Sequence, residues 1–286
     1  MGSLNREILR LALPSIFANL TVPLVGMVDI AVAGHLDSSA AALIGGVSIG
    51  SMMFDVLYWN FGFLRAGTGG LTSQAFGRED WTDCVRTLLR GLATALAISL
   101  AMIALQRPFC HLFFCFVDCS EEVRNLAVKY FTIRILCSPA TMSLMVVRGW
   151  FIGMQDTFSS MVTDTVVNVV NIVASIALSV GIPALGIRGM GFEGVATGTV
   201  AAQYLGLLVA SVIMLFKYSG TFSGRLSRAS LKGTFSGGKM HEFFSVNKDL
   251  FIRSLCLISV YLGFSAISAR FGDVLLASCS IMMKLL

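Results

Sequence analysis

Long apolar stretches separated by short polar segments dominate this sequence. A helix that crosses a membrane needs about 20 mainly apolar residues. Stretches of this length occur at 11–33, 43–64, 87–106, 126–147, 158–182, 195–216 and 250–270. A further apolar stretch begins near Val274 and is cut off at Leu286. The pattern predicts an all-α polytopic membrane protein, and the short final stretch predicts a truncated chain.

The basic residues divide unequally between the two sets of alternate loops. The set that contains the N-terminus and the segment 217–249 holds 14 of the 21 Lys and Arg residues. Because basic loops remain in the cytoplasm, we expect the N-terminus there and the chain in the inner (cytoplasmic) membrane. The net charge of +5 then reflects orientation, and nucleic acid is not an expected partner.

The polar segment 217–249 divides the chain into two predicted lobes. Residues 1–216 are expected to form a six-helix N-terminal lobe, and 217–249 a cytoplasmic connector. Residues 250–286 would then be the first helix and part of the second helix of a C-terminal lobe. A weak repeat agrees with this division, because residues 31–53 resemble 266–283, six spans later.

Composition and motifs exclude several classes of protein. Hydrophobic residues make up 56% of the chain and charged residues 13%, whereas soluble domains have about 25% charged residues. The seven cysteines form no CxxC pair, so we expect free thiols or one outer disulfide rather than a zinc site. A membrane-embedded enzyme is disfavoured because His35, His111 and His241 all fall in predicted loops. No cofactor is expected.

One face of the first span carries small and polar residues. Its members, at helical spacing, are Ser15, Asn19, Val22, Gly26 and Asp29. An ionisable group within a membrane span is costly, so a functional role for Asp29 is the default hypothesis. Pro14 and Pro23 each lack a backbone donor and can kink the helix. The alternative is a static proline bend in which a neighbouring hydroxyl satisfies Asp29.

A second polar face lies on the fifth span. It consists of Asp164, Asn168, Asn171 and Ser175. Both spans run outward from the cytoplasm, so the depths of their residues can be compared. Asp29 lies closer in depth to Asn171 and Ser175 than to Asp164, and we therefore pair it with the first two. We expect Asp164 either to be a secondary buried acid or to be solvated near the cytoplasmic side.

The second span carries another carboxylate. Asp55 lies near its middle, with Ser48 and Ser51 close to the same face, and we expect it to be buried. A structural and a functional role for Asp55 are equally open. The glycine-rich segment 61–77 marks the cytoplasmic end of this span, and we interpret it as a structural and gating hinge. Arg65 within it is expected to snorkel or to cap carbonyls.

Four separated motifs resemble the multidrug and toxin extrusion (MATE) transporters, in particular their DNA-damage-inducible-protein-F-like branch. They are LALPSIFANLTVPLVGMVDIAVAGHL at 11–36, YWNFGFLRAGTGGLTSQAFG at 58–77, RGWFIGMQDT at 148–157 and NVVNI at 168–172. The resemblance covers essentially the whole chain. It implies twelve helices in two six-helix lobes, so a C-terminal lobe missing from this chain would be needed for a complete transporter.

The resemblance also implies an N-lobe site at which an aspartate of the first helix binds a proton or a sodium ion. Asp29 falls on that aspartate, and Pro14 falls on a proline linked to helix bending. Asn171 falls on a site asparagine, and Thr199 is a weaker match. Ser175 stands where the family often has a carboxylate, which disfavours sodium near Asp29 and favours a proton.

The expected function is an ion-coupled antiporter that exports cationic or amphipathic small molecules by alternating access within membrane lipid. Burial raises a carboxyl pKa, so protonation of Asp29 could bend the first span and displace a bound cation. A lipid-linked oligosaccharide flippase and an inactive fragment are the alternatives. The carboxylates identified in the spans favour small organic cations, because such flippases tend to have basic cavities.

Overall fold

The computed structural model describes residues 25–36, 40–182, 187–222, 234–235 and 237–270. Its helices are α1 (Val25–Gly34), α2 (Ala40–Asn60), α3 (Phe63–Gly77), α4 (Trp81–Ala104), α5 (Gln106–Phe113), α6 (Glu121–Arg134), α7 (Ser138–Gly153), α8 (Thr157–Val180), α9 (Phe192–Lys217), α10 (Ser219–Phe222) and α11 (Gly237–Arg270). Between α8 and α9, the strands β1 (Gly181–Ile182) and β2 (Ile187–Arg188) pair antiparallel.

Five helical segments of the described chain are long and apolar enough to cross a membrane. They are Ala40–Gly77, Trp81–Ala104, Glu121–Gly153, Thr157–Val180 and Phe192–Lys217. These segments coincide with five of the predicted spans, and the all-α membrane class is confirmed. Pro14, Asn19 and Pro23 lie outside the described residues, so their roles in the first span stay predictions.

Two predicted spans are composite in the structure. The second breaks at Phe61–Gly62, where α2 gives way to α3. The fourth joins α6, a short 3-10 turn (Ile135–Cys137) and α7, so its predicted end at residue 147 is wrong. Pro139 explains this break, because proline fits the first turn of a helix and interrupts one that has already begun.

Residues predicted to be polar loops are partly helical. The predicted connector contains α10, and α11 begins at Gly237, well before the predicted start at residue 250. The buried side chains of Phe243 and Asn247, one turn apart, explain the early start. Asn247 packs against Gly67 of α3, so tertiary contact stabilises a stretch that polarity alone assigned to a loop. The division into lobes stays a prediction.

The core lies where α4 and α7 meet the end of α9. Trp150 is fully buried, and its indole Nε1 donates a hydrogen bond to the carbonyl of Cys84 at 3.0 Å. The ring of Tyr218 packs against the Trp150 ring with the centroids 4.9 Å apart. This cluster fixes one end of the bundle, and the polar residues described next lie along α8 and α9.

A close approach of α8 and α9 positions the polar site. A Cβ atom added at Gly198 would lie 2.6 Å from the Cα of Ser175, closer than real Cβ atoms come. Only glycine therefore fits at this position, and the absence of a side chain allows the two helices to touch. The contact brings the polar side chains of both helices within hydrogen-bonding distance.

Candidate functional site

A buried hydrogen-bond network joins α8 to α9. The Asn171 amide donates to Thr199 Oγ1 at 3.0 Å, and Thr199 Oγ1 donates to the Val195 carbonyl at 3.3 Å. The Ser175 hydroxyl lies 3.4 Å from both Asn171 Oδ1 and the Val195 carbonyl. Asn171, Ser175 and Thr199 are all buried. Their polar atoms are mutually oriented, so the network is a rigid wall rather than a set of mobile groups.

This wall borders a cavity of about 390 Å³ between α1, α2, α6, α7, α8 and α9. Its lining residues are Val25, Gly26, Asp29, Ser51, Asp55, Arg134, Arg148, Asp164, Val167, Asn168, Asn171, Thr199 and Gln203. The cavity thus brings together Asp29 with Asn168, Asn171 and Thr199, which the sequence placed on different spans. Ser175 belongs to the same network but is not among the lining residues.

Asp29 has an unsatisfied carboxylate oxygen in this arrangement. It is only 3% exposed, and its Oδ1 has no hydrogen-bond partner among the described residues. The Asp29 carboxylate interacts with the Arg134 charge and with the Ser175 hydroxyl. A buried carboxylate oxygen without a partner is costly, so this atom is available to a proton, a cation or a bound molecule.

Arg134 is a site residue that sequence reasoning missed. Its guanidinium Nη1 donates to Ser51 Oγ at 3.2 Å and to the Tyr130 hydroxyl at 3.0 Å. The guanidinium also lies 4.7 Å from the centre of the Phe54 ring. Its position inside the predicted span 126–147 could have identified it, since a charged residue within a membrane span is a functional candidate by default.

Asp164 is paired, so the expectation that it is solvated is wrong. Arg148 Nε lies 2.6 Å from Asp164 Oδ1, and each side chain is 17% exposed. The predicted span ended at residue 147, one residue before Arg148, but α7 continues to Gly153 and carries Arg148 within the helix. The pair links α7 to α8 at the cavity wall.

Asp55 is exposed, so the expectation of a third buried carboxylate is wrong for the described structure. It lies on an open side of α2, between the Asp29 cavity and an adjoining cavity of about 540 Å³. The second cavity is lined by Asp55, Tyr58, Gly62, Arg65, Met145 and Arg148. Arg134 and Arg148 add two basic groups to the carboxylates that the sequence analysis identified in the spans.

Metal coordination finds no support in the part of the chain that the structure describes. No group of three or more His, Cys, Asp or Glu side chains there could hold a metal ion. The described cysteines, Cys84, Cys110, Cys115, Cys119, Cys137 and Cys256, are free thiols. The oxygen atoms around Asp29 are the remaining candidate ligands for a monovalent cation.

Comparisons with known proteins agree on one family. The family model described as MatE matches residues 14–177. The chain is 34% identical to DNA damage-inducible protein F of Escherichia coli (strain K12), in an alignment covering 100% of the chain and 60% of that protein. The chain therefore spans about 60% of the length of this relative.

Solved structures show the same fold. A MATE structure in the bent conformation matches with a TM-score of 0.75 and 18% identity, covering 96% of this chain and 58% of that one. An outward-facing multidrug resistance MATE transporter of the MOP superfamily matches with a TM-score of 0.71 and 18% identity. That match covers 92% of this chain and 56% of that one.

Proposed function

Because this chain belongs to the MatE family of membrane transporters, we propose that it acts as an ion-coupled antiporter. In this proposal it exports cationic or amphipathic small molecules by alternating access. The resemblance to MATE transporters and to their DNA-damage-inducible-protein-F-like branch is confirmed. Because the chain spans about 60% of its E. coli relative, the full transport cycle is proposed for a protein that also has the second lobe.

The unpartnered Oδ1 of Asp29 is the observation that supports this proposal most strongly. A proton on Asp29 would neutralise the carboxylate and supply a donor inside the cavity. Loss of the proton would leave a buried negative charge able to attract a cationic substrate. One carboxylate can thus bind either the coupling ion or the substrate, and this competition is the basis of exchange.

The charges around the cavity support a substrate that carries a positive group. Asp29, Asp55 and Asp164 outnumber Arg134 and Arg148 in the lining, so the fully ionised wall is net negative. Asp164 is already neutralised by Arg148, which leaves two carboxylates and one guanidinium. We propose Asp29 and Asp55 as the cation-attracting groups, with Asn168, Asn171 and Thr199 as polar contacts.

Apolar side chains on the outside of the bundle support contact with lipid. Leu100 of α4, Val173 of α8 and Phe216 of α9 are 64%, 60% and 82% exposed, which suits a hydrocarbon environment. We propose that the chain lies in the cytoplasmic membrane with its N-terminus inside. Arg78 of the α3–α4 connection and Arg86 in the second turn of α4 would then lie at the cytoplasmic side.

Efflux of a fluorescent organic cation from everted membrane vesicles tests the proposed function. We expect Asp29→Asn to abolish efflux driven by a proton gradient, and Asp118→Asn in the exposed α5–α6 connection to leave it unchanged. A sodium gradient applied separately identifies the coupling ion. Undiminished efflux by Asp29→Asn would contradict the proposal, and no efflux by the unmodified chain would support the inactive-fragment alternative.

A lipid-linked oligosaccharide flippase is the second candidate, supported by one observation. Arg65 lies in the larger cavity with Tyr58 and with Arg148, which is paired to Asp164, and the guanidinium group of Arg65 suits a phosphate group. Proteoliposomes containing a fluorescent lipid-linked oligosaccharide distinguish the candidates. Transbilayer movement that Arg65→Gln lowers and Asp29→Asn leaves unchanged would favour the flippase over the antiporter.

A further inference from the structure

A third cavity lies between α2, α4, α5 and α6 and shares no lining residue with the two cavities described above. Its volume is about 440 Å³, and its walls include Phe61 at the α2–α3 break and the buried Phe131 of α6. Of the described residues that line it, Gln106 alone is polar. The lining residues Leu105 and Leu112 are 60% and 59% exposed, so the cavity opens at the surface of the bundle.

The opening lies where α4 reaches the edge of the membrane. α4 has 24 residues and is therefore about 36 Å long, whereas the hydrocarbon core is about 30 Å thick. The cavity thus runs from Ile98, inside the hydrocarbon, to Gln106, at the level of the headgroups. On α5, Arg107 and His111 are exposed one turn apart, whereas Phe109 lines the cavity. A helix with one polar and one apolar face suits the membrane interface.

Gln106 has a buried acceptor that is not satisfied. Its Oε1 has no hydrogen-bond partner among the described residues. Such an atom is costly, and the apolar side chains around it offer no donor, so a donor from a bound molecule would satisfy it. The next residue, Arg107, is exposed and takes part in none of the ion pairs between described residues. Its guanidinium group is therefore available to a phosphate group.

We infer that this cavity binds a membrane phospholipid with a primary ammonium headgroup, a phosphatidylethanolamine. One acyl chain occupies the apolar cavity, the ammonium group donates to Gln106 Oε1, and the phosphate pairs with Arg107. A primary ammonium group carries three N–H donors, whereas the trimethylated headgroup of phosphatidylcholine carries none. An anionic headgroup is disfavoured because Asp118, Glu121 and Glu122 are exposed beyond α5. The inference concerns a lipid bound outside the Asp29 cavity, so it does not rest on the proposed antiport.

Native mass spectrometry of the purified chain in detergent tests this inference without requiring transport. The chain is titrated with palmitoyl-oleoyl phosphatidylethanolamine and with phosphatidylcholine of the same acyl chains, and the lipid-bound fraction gives an apparent Kd for each. We expect phosphatidylethanolamine to bind about three- to tenfold more tightly, as one additional hydrogen bond would give. Gln106→Leu should make the two constants equal, and Gln106→Glu, which keeps the acceptor, should retain the preference. Equal binding by the unmodified chain, or a preference that survives in Gln106→Leu, would overturn the inference.

Matched variants on α4 test where the acyl chain lies. Ala101 lines the cavity at an exposed position, so Ala101→Phe should fill the space and weaken the binding of both lipids at least about tenfold. Leu100→Phe, at a 64% exposed position outside the lining, should leave binding unchanged. Arg107→Gln should weaken both lipids, since both carry a phosphate group. Equal effects of the two phenylalanine variants, or tighter binding of phosphatidylglycerol than of phosphatidylethanolamine, would contradict the assignment. Unfolding temperatures in lipid-free detergent verify that each variant is folded.

Discussion

Arg148 and Asp164 form an ion pair across two helices of the cavity wall, with 2.6 Å between Arg148 Nε and Asp164 Oδ1. Each side chain is only 17% exposed, so neither charge is well solvated. The pair connects α7, which carries the Trp150 core, to α8, which carries Asn171. It therefore couples the packing of the bundle to the position of the proposed ion site.

Neutralising one member of this pair should destabilise the protein more than neutralising both. Arg148→Met leaves Asp164 as an unpaired charge of low exposure, and we expect a loss of up to about 3 kcal/mol. Asp164→Asn leaves Arg148 in the same condition. The double variant removes both charges, so its loss should be smaller than the sum of the single losses by about 1–3 kcal/mol.

Unfolding by denaturant in detergent micelles measures all members of this double-mutant cycle. Asp118→Asn, in the exposed α5–α6 connection, is the control, because it removes a carboxylate that lies at an exposed position outside the cavity. Strictly additive losses in the double variant would mean that the two side chains contribute independently. The ion pair would then be a contact without energetic coupling.

The hydrogen bond from Asn171 to Thr199 should depend on the hydroxyl group and not on the size of residue 199. Thr199→Val has nearly the same shape but leaves the buried Asn171 amide without its acceptor. We expect a loss of about 1–3 kcal/mol in the free energy of unfolding, together with reduced cation efflux. Thr199→Ser keeps the acceptor, so we expect it to lose less stability and less cation efflux than Thr199→Val.

Efflux in vesicles and unfolding in detergent are measured on the same preparations for these variants. Equal loss in Thr199→Val and Thr199→Ser would assign the effect to packing around residue 199. The hydrogen bond would then have no special role at this wall.

Much of the fold could be predicted because lipid leaves few options for the backbone. A spanning segment must satisfy its own hydrogen bonds, so apolar length alone locates the helices. Residues spaced by three or four positions share a helix face. This spacing predicted that Asn168 and Asn171 lie on the same face of the fifth span. The breaks at Gly62 and before Pro139 depend on local backbone geometry, so apolar length alone does not predict their positions.

The partners of charged side chains could not be predicted from their positions in the sequence. Arg134 depends on Ser51, 83 residues away, and on Tyr130, one helical turn before it. Asp164 depends on Arg148 of a different helix. Hydropathy averages each of these residues with apolar neighbours, so a single arginine in a span is not recognised although it lines the cavity.

Gly198 should be intolerant of any side chain because α9 touches α8 at this point. A Cβ atom there would lie 2.6 Å from the Cα of Ser175. We expect Gly198→Ala to separate the two helices and to lower the free energy of unfolding by about 1–3 kcal/mol. Gly70→Ala in α3 is the matched control, since its added methyl would meet no atom within 4 Å.

The same two variants test whether close helix packing maintains the Asn171–Thr199 bond. Gly70→Ala should be neutral or stabilising by up to about 1 kcal/mol, because alanine favours a helix more than glycine does. If Gly198→Ala retained both unfolding energy and efflux, the α8–α9 contact would be looser than the described structure indicates.

Asp156 should make the end of the bundle sensitive to acid. Its carboxylate accepts hydrogen bonds from Lys217 Nζ and the Tyr218 hydroxyl, both at 2.8 Å, and from the Ser159 amide at 3.2 Å. Although burial alone would raise it, these bonds, led by the one from Lys217, lower the pKa of Asp156 below its usual value. The contribution to stability is therefore present above the unfolded-state pKa of about 3.9 and disappears as pH falls through the folded-state value.

The free energy of unfolding, measured between neutral pH and about pH 3, tests this expectation. At neutral pH Asp156→Asn should be less stable than the unmodified protein by about 1–3 kcal/mol, because charge-assisted bonds to a buried carboxylate are lost. The difference should shrink in acid, where the carboxylate of the unmodified protein is also protonated. Asp118→Asn, at an exposed aspartate, should show little difference at any pH, and a pH-independent deficit for Asp156→Asn would assign its role to shape rather than charge.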